Sequence, residues 1–266
     1  MKKQMQKFLA SSLMAAMVLA TAAANAATPV ASYSFNNTLA ANEAGAPVLV
    51  SVNPLGGNGF ETATVHGQSQ TVFRWSGDGA SSLTQAGLLL DATGLVSYSS
   101  YSVAMTFEFS TQALFGGGWR RIIDVENRQS DNGFYVDPGN HLEVVQVGPT
   151  ALGTTLYTTP GFHDVLMTVA PETGRQRVRA YLDGTQELSA VMDVFSLDNA
   201  NNPGNLLYFF ADNTAANAQQ EYANGRIASL QLFEGAIIPS AVPEPESAAL
   251  MLAGLCAVLA LARRKR

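Results

Sequence analysis

From Tyr101 to Phe109 the chain alternates in character: Tyr101, Val103, Met105, Phe107 and Phe109 are apolar, and Ser102, Ala104, Thr106 and Glu108 are small or polar. A period of two predicts a β-strand with one buried face, because successive side chains of an extended chain point to opposite sides. The same alternation runs through Ala31/Tyr33/Phe35, Val165/Met167/Val169 and Val178/Ala180/Leu182. Residues 206–210 form a continuous apolar run, and 225–233 predicts the last strand. Turn chemistry separates these segments. Pro171-Glu-Thr-Gly174 joins two strands and Asp183-Gly184 closes the next, as hairpins require. Asp131-Asn132-Gly133 and Asp137-Pro138-Gly139-Asn140 bracket a short strand at 134–136. No heptad, internal repeat or long amphipathic helix intervenes. Many short strands at ~8–12-residue spacing, without helices between them, predict an antiparallel sandwich rather than a parallel α/β fold.

The two ends have a different character. Lys2, Lys3 and Lys7 precede a short apolar stretch at 8–20, and Ala24-Asn25-Ala26 makes a small-residue cleavage site, the order of a secretory signal peptide. At the far end the apolar stretch 248–262 is fifteen residues long. As a helix it covers ~22 Å, against the ~30 Å of bilayer hydrocarbon. Arg263, Arg264, Lys265 and Arg266 follow it and belong on the cytoplasmic side by the positive-inside rule. Both ends therefore place the body outside the inner membrane. The expected organisation is a signal peptide at 1–26, a β-sandwich at 27–238, a linker at 239–246, a short hydrophobic helix at 247–262 and a basic tail at 263–266.

All four lysines (Lys2, Lys3, Lys7, Lys265) and three arginines lie in these tails. Between them stand eight arginines against all 21 acidic residues, a formal charge of −13 that the whole-chain value of −6 conceals. Such a body repels nucleic acid and anionic polymers unless a divalent cation bridges them, so nucleic-acid binding is not expected. The one cysteine, Cys256, sits in the terminal apolar run as packing filler. The exported body then has neither disulfide nor thiol catalysis.

Three segments carry a family resemblance: VASYSFNNTLAAN at 30–42, FHDVLMTVAPETGRQRVRAYLDGTQ at 162–186 and GRIASLQLFEGAI at 225–237. In this order they resemble laminin-G-like, concanavalin A-like jelly rolls. The resemblance implies an all-β fold of two packed antiparallel sheets with about twelve to fourteen strands. Val242-Pro243-Glu244-Pro245, the short apolar run and the basic terminus resemble the tripartite PEP-CTERM sorting signal. That resemblance implies a Gram-negative host that makes exopolysaccharide, and an exosortase partner that processes the tail near the motif. The apolar run is then a temporary hold on the inner membrane, which accounts for its shortness. Pro243 and Pro245 keep the approach extended, as a protease-like site needs. The destination is the cell surface or extracellular matrix.

The fold alone admits glycosidases, lyases and lectins. A retaining glycosidase needs two carboxylates about 5–5.5 Å apart. The Glu-x-Asp-x-x-Glu string of laminarinase-like relatives is missing, and the nearest approach is Asp124-Val125-Glu126. His66, His141 and His163 are scattered, and no HExxH or GxSxG occurs. Calcium is the better candidate cofactor, since relatives hold it at a sandwich edge through oxygen ligands. Asp131, Asn132, Asp212 and Asn213 are the candidate ligands, with Asp78 a weaker one; the alternative is that each only shapes a turn. For sugar stacking the candidate is Trp119, after Gly116-Gly-Gly118, with Trp75 and Tyr157 behind it. The expected function is non-catalytic binding of exopolysaccharide or another glycan, assisted by calcium. The alternatives are a polysaccharide hydrolase or lyase, and a purely structural surface protein.

Overall fold

The computed structural model describes residues 27–78, 80–110, 116–146, 150–215 and 221–239. The expected signal peptide, PEP motif, hydrophobic helix and basic tail lie outside these residues. Among the described residues no helix is long and apolar enough to cross a membrane.

Residues Thr28–Ile238 form one compact unit with fifteen described strands, numbered along the chain. One sheet has eight strands. In spatial order seven of them are β13 (Thr185–Met192), β12 (Arg175–Leu182), β11 (His163–Glu172), β6 (Tyr101–Phe109), β15 (Gly225–Glu234), β4 (Gln68–Trp75) and β3 (Gly59–Val65). The eighth, β1 (Ala31–Tyr33), also pairs with β15. The other sheet has seven strands: β10 (Thr150–Leu156), β9 (His141–Val145), β8 (Gly133–Val136), β7 (Arg120–Asp124), β14 (Leu206–Phe209), β5 (Gly87–Asp91) and β2 (Val50–Val52). Every strand pair is antiparallel. The alternation at 101–109 is β6, and the predicted strands at 165–169, 178–182 and 225–233 lie in β11, β12 and β15.

The inward side chains of both sheets form one core. Val103, Met105 and Phe107 from β6, with Val165 and Met167 from β11, join Leu88 and Leu90 from β5 and Phe134 and Val136 from β8. Trp75 lies flat on Phe210 with ring centroids 3.7 Å apart, and its indole N–H donates to the Ala223 carbonyl at 2.9 Å. Two aromatic residues depart from the predicted strands for one reason. Phe35 (φ 52°) and Phe210 (φ 68°) are left-handed, which ends β1 at Tyr33 and β14 at Phe209. Left-handed backbone is costly for bulky residues. Here the bend turns both rings fully into the core, which offsets that cost.

Two-residue turns fix the register of the hairpins. Thr173-Gly174 (φ 47° and 78°) joins β11 to β12, and Asp183-Gly184 (φ 49° and 82°) joins β12 to β13. Positive φ at both positions matches the twist of the flanking strands. At one side of the sandwich the edge strands β10 and β13 meet. The Glu187 carboxylate on β13 accepts the N–H groups of Thr154 and Thr155 on β10, at 2.9 and 2.7 Å. Burial alone would raise its pKa, but the hydrogen bonds from Thr155 and Thr154 hold it below the usual glutamate value.

Candidate functional site

Strand β7 begins with two arginines that point to opposite sides. Arg120 lies in the interior, its guanidinium 5.4 Å from the Phe109 ring centroid and hydrogen-bonded to Asn140 Oδ1 at 2.6 Å. Arg121 faces the other way and is also fully buried. Its Nε donates to Asp212 Oδ1 at 2.9 Å, and its Nη1 to Asp124 Oδ2 at 2.7 Å and to the Asn132 carbonyl at 3.0 Å. Nη2 donates to the Ser130 carbonyl at 3.2 Å and lies 4.0 Å from Asp131 Oδ1. A buried guanidinium needs partners of this number and charge.

Around this cation the carboxylates outnumber the positive charge. Asp131, Asp212 and Glu221 each bring one oxygen to within 4.8 Å of the others. Glu221 is held by its backbone, whose N–H donates to Asp212 Oδ2 at 3.0 Å. Burial, then the negative charge of Asp212, pushes the Glu221 carboxyl up to about 8, with Arg121 only partly opposing. Arg128 hydrogen-bonds carbonyls rather than the carboxylates, its Nε and Nη2 donating to those of Asp212 and Ser82, both at 2.6 Å, while its charge still acts on Asp124 and Asp212. Three carboxylate oxygens at this mutual distance suit a hard divalent cation, since oxygens at ~2.3–2.6 Å from one Ca²⁺ fall within such a span. The donor set fits calcium in kind.

The candidate ligands separate into three groups. Asp131 and Asp212 come together although 81 positions apart in sequence. Asn213 stands beside them with its Nδ2 donating to Asp131 Oδ1 at 2.5 Å, so it presents its amide nitrogen to the cluster. The Asn132 side chain is directed to Glu126, with Nδ2 to Oε2 at 3.1 Å, and only its backbone carbonyl reaches Arg121. Asp78 shapes a turn, accepting the Ala80 N–H at 3.0 Å. Glu221 was not foreseen, because nothing in its sequence neighbourhood resembles a ligand motif and only the fold carries it to Asp212.

Trp119 immediately precedes β7 and is half-buried, edge-on to Tyr135 with ring centroids 5.6 Å apart. The same Tyr135 ring carries the Arg121 guanidinium at 4.5 Å, and its hydroxyl donates to the Asp131 carbonyl at 2.9 Å. The candidate sugar-stacking residue is thus continuous with the carboxylate cluster through one tyrosine. Trp75 and Tyr157 are fully buried, and the Tyr157 hydroxyl is spent on the Phe107 carbonyl at 3.1 Å. Neither can stack on a sugar.

Asp124 and Glu126 do not form a facing pair. Strand β7 ends at Asp124, whose carboxylate takes Arg121 and the N–H groups of Glu126 and Arg128 at 3.1 and 2.8 Å. Glu126 lies in the following turn and accepts from Ser130 and Asn132. The three histidines stay apart: His66 in the β3–β4 turn, His141 opening β9, and His163 between Thr158 and Asp183. Among the described residues no other set of three His, Cys, Asp or Glu side chains converges to ligating distance.

The class is therefore an antiparallel β-sandwich of jelly-roll type, with a carboxylate cluster beside a buried tyrosine, Tyr135, on which the half-buried Trp119 rests. Residues 241–266 match the family described as the PEP-CTERM protein-sorting motif. The motif marks an exported chain sorted to the cell surface through its C terminus. Among solved structures, one concerning the dependence of botulinum neurotoxin type C cell entry on two ganglioside molecules superposes with a TM-score of 0.50 at 13% identity. It covers 79% of this chain and 48% of that one. The botulinum neurotoxin serotype D binding domain gives 0.47 at 13% identity, with 85% and 51% covered. The CBM40 of Ruminococcus gnavus IT-sialidase, bound to α2,3 sialyllactose, gives 0.41 at 11% identity, with 55% and 82% covered. The chain spans about half the length of the neurotoxin structures it matches. At these identities the likeness is one of fold. No curated protein matches the chain.

Proposed function

We propose that this chain is a non-catalytic surface or extracellular-matrix protein of a Gram-negative bacterium, processed at its C terminus by an exosortase. Its sandwich binds the host's exopolysaccharide or a related glycan with the help of Ca²⁺. The observation that carries this reading is the continuity of Trp119, Tyr135 and the Asp131/Asp212/Glu221 cluster. An aromatic face stacks on the apolar side of a pyranose, and a bound Ca²⁺ accepts sugar hydroxyls as ligands. In an acidic body the cation also removes the repulsion that an anionic polymer would meet. The neurotoxin whose fold it shares is described with ganglioside molecules, which supports a glycan as ligand without identifying one. Against hydrolysis stands the commitment of Asp124 to Arg121 and two backbone N–H groups.

The test is retention of the full-length protein, in detergent, on the host exopolysaccharide with Ca²⁺ and then with EDTA. Saturable binding lost in EDTA, and weakened in Glu221→Gln, is expected. That variant removes one ligand charge and leaves the Arg121 contacts in place. Binding unchanged by EDTA overturns the calcium role, and no binding with the polymer intact leaves a structural surface protein. Release of new reducing ends, abolished by Asp124→Asn or Glu126→Gln, establishes an enzyme instead. Mass spectrometry of protein from the native host bears on sorting: an intact C terminus through Arg266 removes the exosortase from the account.

A further inference from the structure

The eight-stranded sheet forks. Strand β15 pairs with β4 only at Gly225, Arg226 and Ile227, opposite Trp75, Arg74 and Phe73. Its ladder with β6 then shifts between Ile227 and Ser229, and from Leu230 to Leu232 the pairing partner on the other side is β1. The first half of β4, from Gln68, is displaced from β15 and stays paired to β3 alone. Between the β3–β4 hairpin and β1 this leaves an open groove of about 430 Å³, with Ser229 and Ala228 among its lining. The volume lies in the ~300–1,000 Å³ range of ligand clefts.

The lining is unlike the rest of the surface. None of its twelve residues is Asp, Glu, Lys or Arg, although the sandwich at 27–238, with eight arginines and 19 acidic residues, carries a formal charge of −11. Hydrogen-bonding amides and hydroxyls replace the charges. Gln68, Gln70 and Gln231 belong to it, and among the described residues their side chains hydrogen-bond to nothing in the protein. Each offers two donors and an acceptor. Val65 and Ala228 supply an apolar strip, part of a small separate cluster against which Phe162 packs.

The geometry points to this groove as a second binding site, for a neutral polyhydroxylated chain: an uncharged oligosaccharide. Free amides match vicinal hydroxyls in donor and acceptor, and the apolar strip matches the C–H face of a sugar ring. An anionic sugar finds no lysine or arginine in the lining, and its one histidine, His66, is paired with Asp164. Arg226 is held by Glu108 at 2.6 Å and Glu61 at 3.3 Å, and exposed Asp164, bonded to Thr106 and His66, places negative charge at the rim. An extended peptide adding to the free edge of β4 is the competing occupant, and the competition below separates it from a sugar.

Calorimetry on the full-length protein in EDTA, titrated with neutral gluco-, manno- and galacto-oligosaccharides and with oligogalacturonate, tests the assignment. At least one neutral oligomer is expected to bind and oligogalacturonate to fail. Gln68→Ala/Gln70→Ala, both exposed and so harmless to folding, should weaken binding about tenfold or more. The assignment is overturned if no neutral oligomer binds at about 10 mM, if binding survives the double variant, or if a Gln/Ser-rich extended peptide competes for the site. Because these titrations exclude calcium, they succeed or fail independently of the calcium-assisted site.

Discussion

Replacing Gly225 by alanine puts a methyl group where β15 crosses beneath the core tryptophan. A Cβ at Gly225 would lie 2.3 Å from Trp75 Cζ2, 2.4 Å from Cη2 and 2.3 Å from the Glu108 carbonyl oxygen. Side-chain carbons do not approach other atoms so closely, so the indole or the strand must retreat by about 1 Å. Neither has room. The indole is stacked on Phe210 at 3.7 Å and tied to Ala223, and Gly225 pairs with Trp75 on one side and Phe109 on the other. Overpacking of this kind costs about 3 kcal/mol, or about 6–12 °C in Tm for a domain of this size. Thermal melts followed by tryptophan fluorescence and far-UV circular dichroism measure it. Gly59→Ala serves as the control, since nothing lies within 4 Å of its Cβ position, and its Tm should stay close to that of the wild type. Trp75→Phe placed on Gly225→Ala should recover part of the loss, because the two side chains compete for one space. A Gly225→Ala melt within about 2 °C of wild type would refute the packing argument.

Three further outcomes are expected. Glu221 has a folded pKa of about 8, above its unfolded value, so its contribution to stability is present below about pH 4.5 and lost as pH rises towards 8, with a ceiling of about 5 kcal/mol. In EDTA, denaturant titrations of wild type and Glu221→Gln should diverge across that window, the variant gaining towards pH 8, and parallel curves would contradict the cluster's electrostatics. Glu187→Ala removes the acceptor of the Thr154 and Thr155 N–H groups and should cost about 1–2 kcal/mol, with faster hydrogen exchange at both amides than elsewhere in β10. Trp119→Ala should weaken calcium-dependent glycan retention about tenfold while shifting Tm by only a few degrees, and equal retention would remove Trp119 from the site.

What the sequence revealed depended on how each strand meets the core. Strands β6, β11, β12 and β15 lie in the middle or next to it in one sheet, with turn residues around them; their apolar positions reach the core, although a register shift between Ile227 and Ser229 breaks the period of two in β15. Strands β3 and β4 were not legible. GFETATV and QSQTVFRW bury apolar side chains at only part of their length, because β4 leaves β15 at the fork and takes β3 with it. At β10 the residues TALGTTL are mostly exposed, so an edge strand reads as a polar loop. The candidate site was half legible for a related reason. Asp131 and Asp212 stand in Asp-Asn turns that announce oxygen ligands, whereas Glu221 is carried in by the fold. Composition likewise cannot separate Trp75 from Trp119. The first is sealed under Phe210 and the second rests on the edge of Tyr135, a difference made by tertiary packing.

The pairing of β1 with β15 also has a mechanical consequence. A protein held by its C terminus feels tension along the strand that precedes the tail, here β15. That strand is flanked by β6 along one side and by β4 and then β1 along the other. A pull along its axis loads these ladders in parallel, as shear, so many hydrogen bonds must fail together before the strand slides. The N-terminal strand, joined to β15 at Leu230–Leu232, shares that load. On the function proposed above, with the tail as a temporary hold on the membrane, drag on a bound polymer would load this strand in shear.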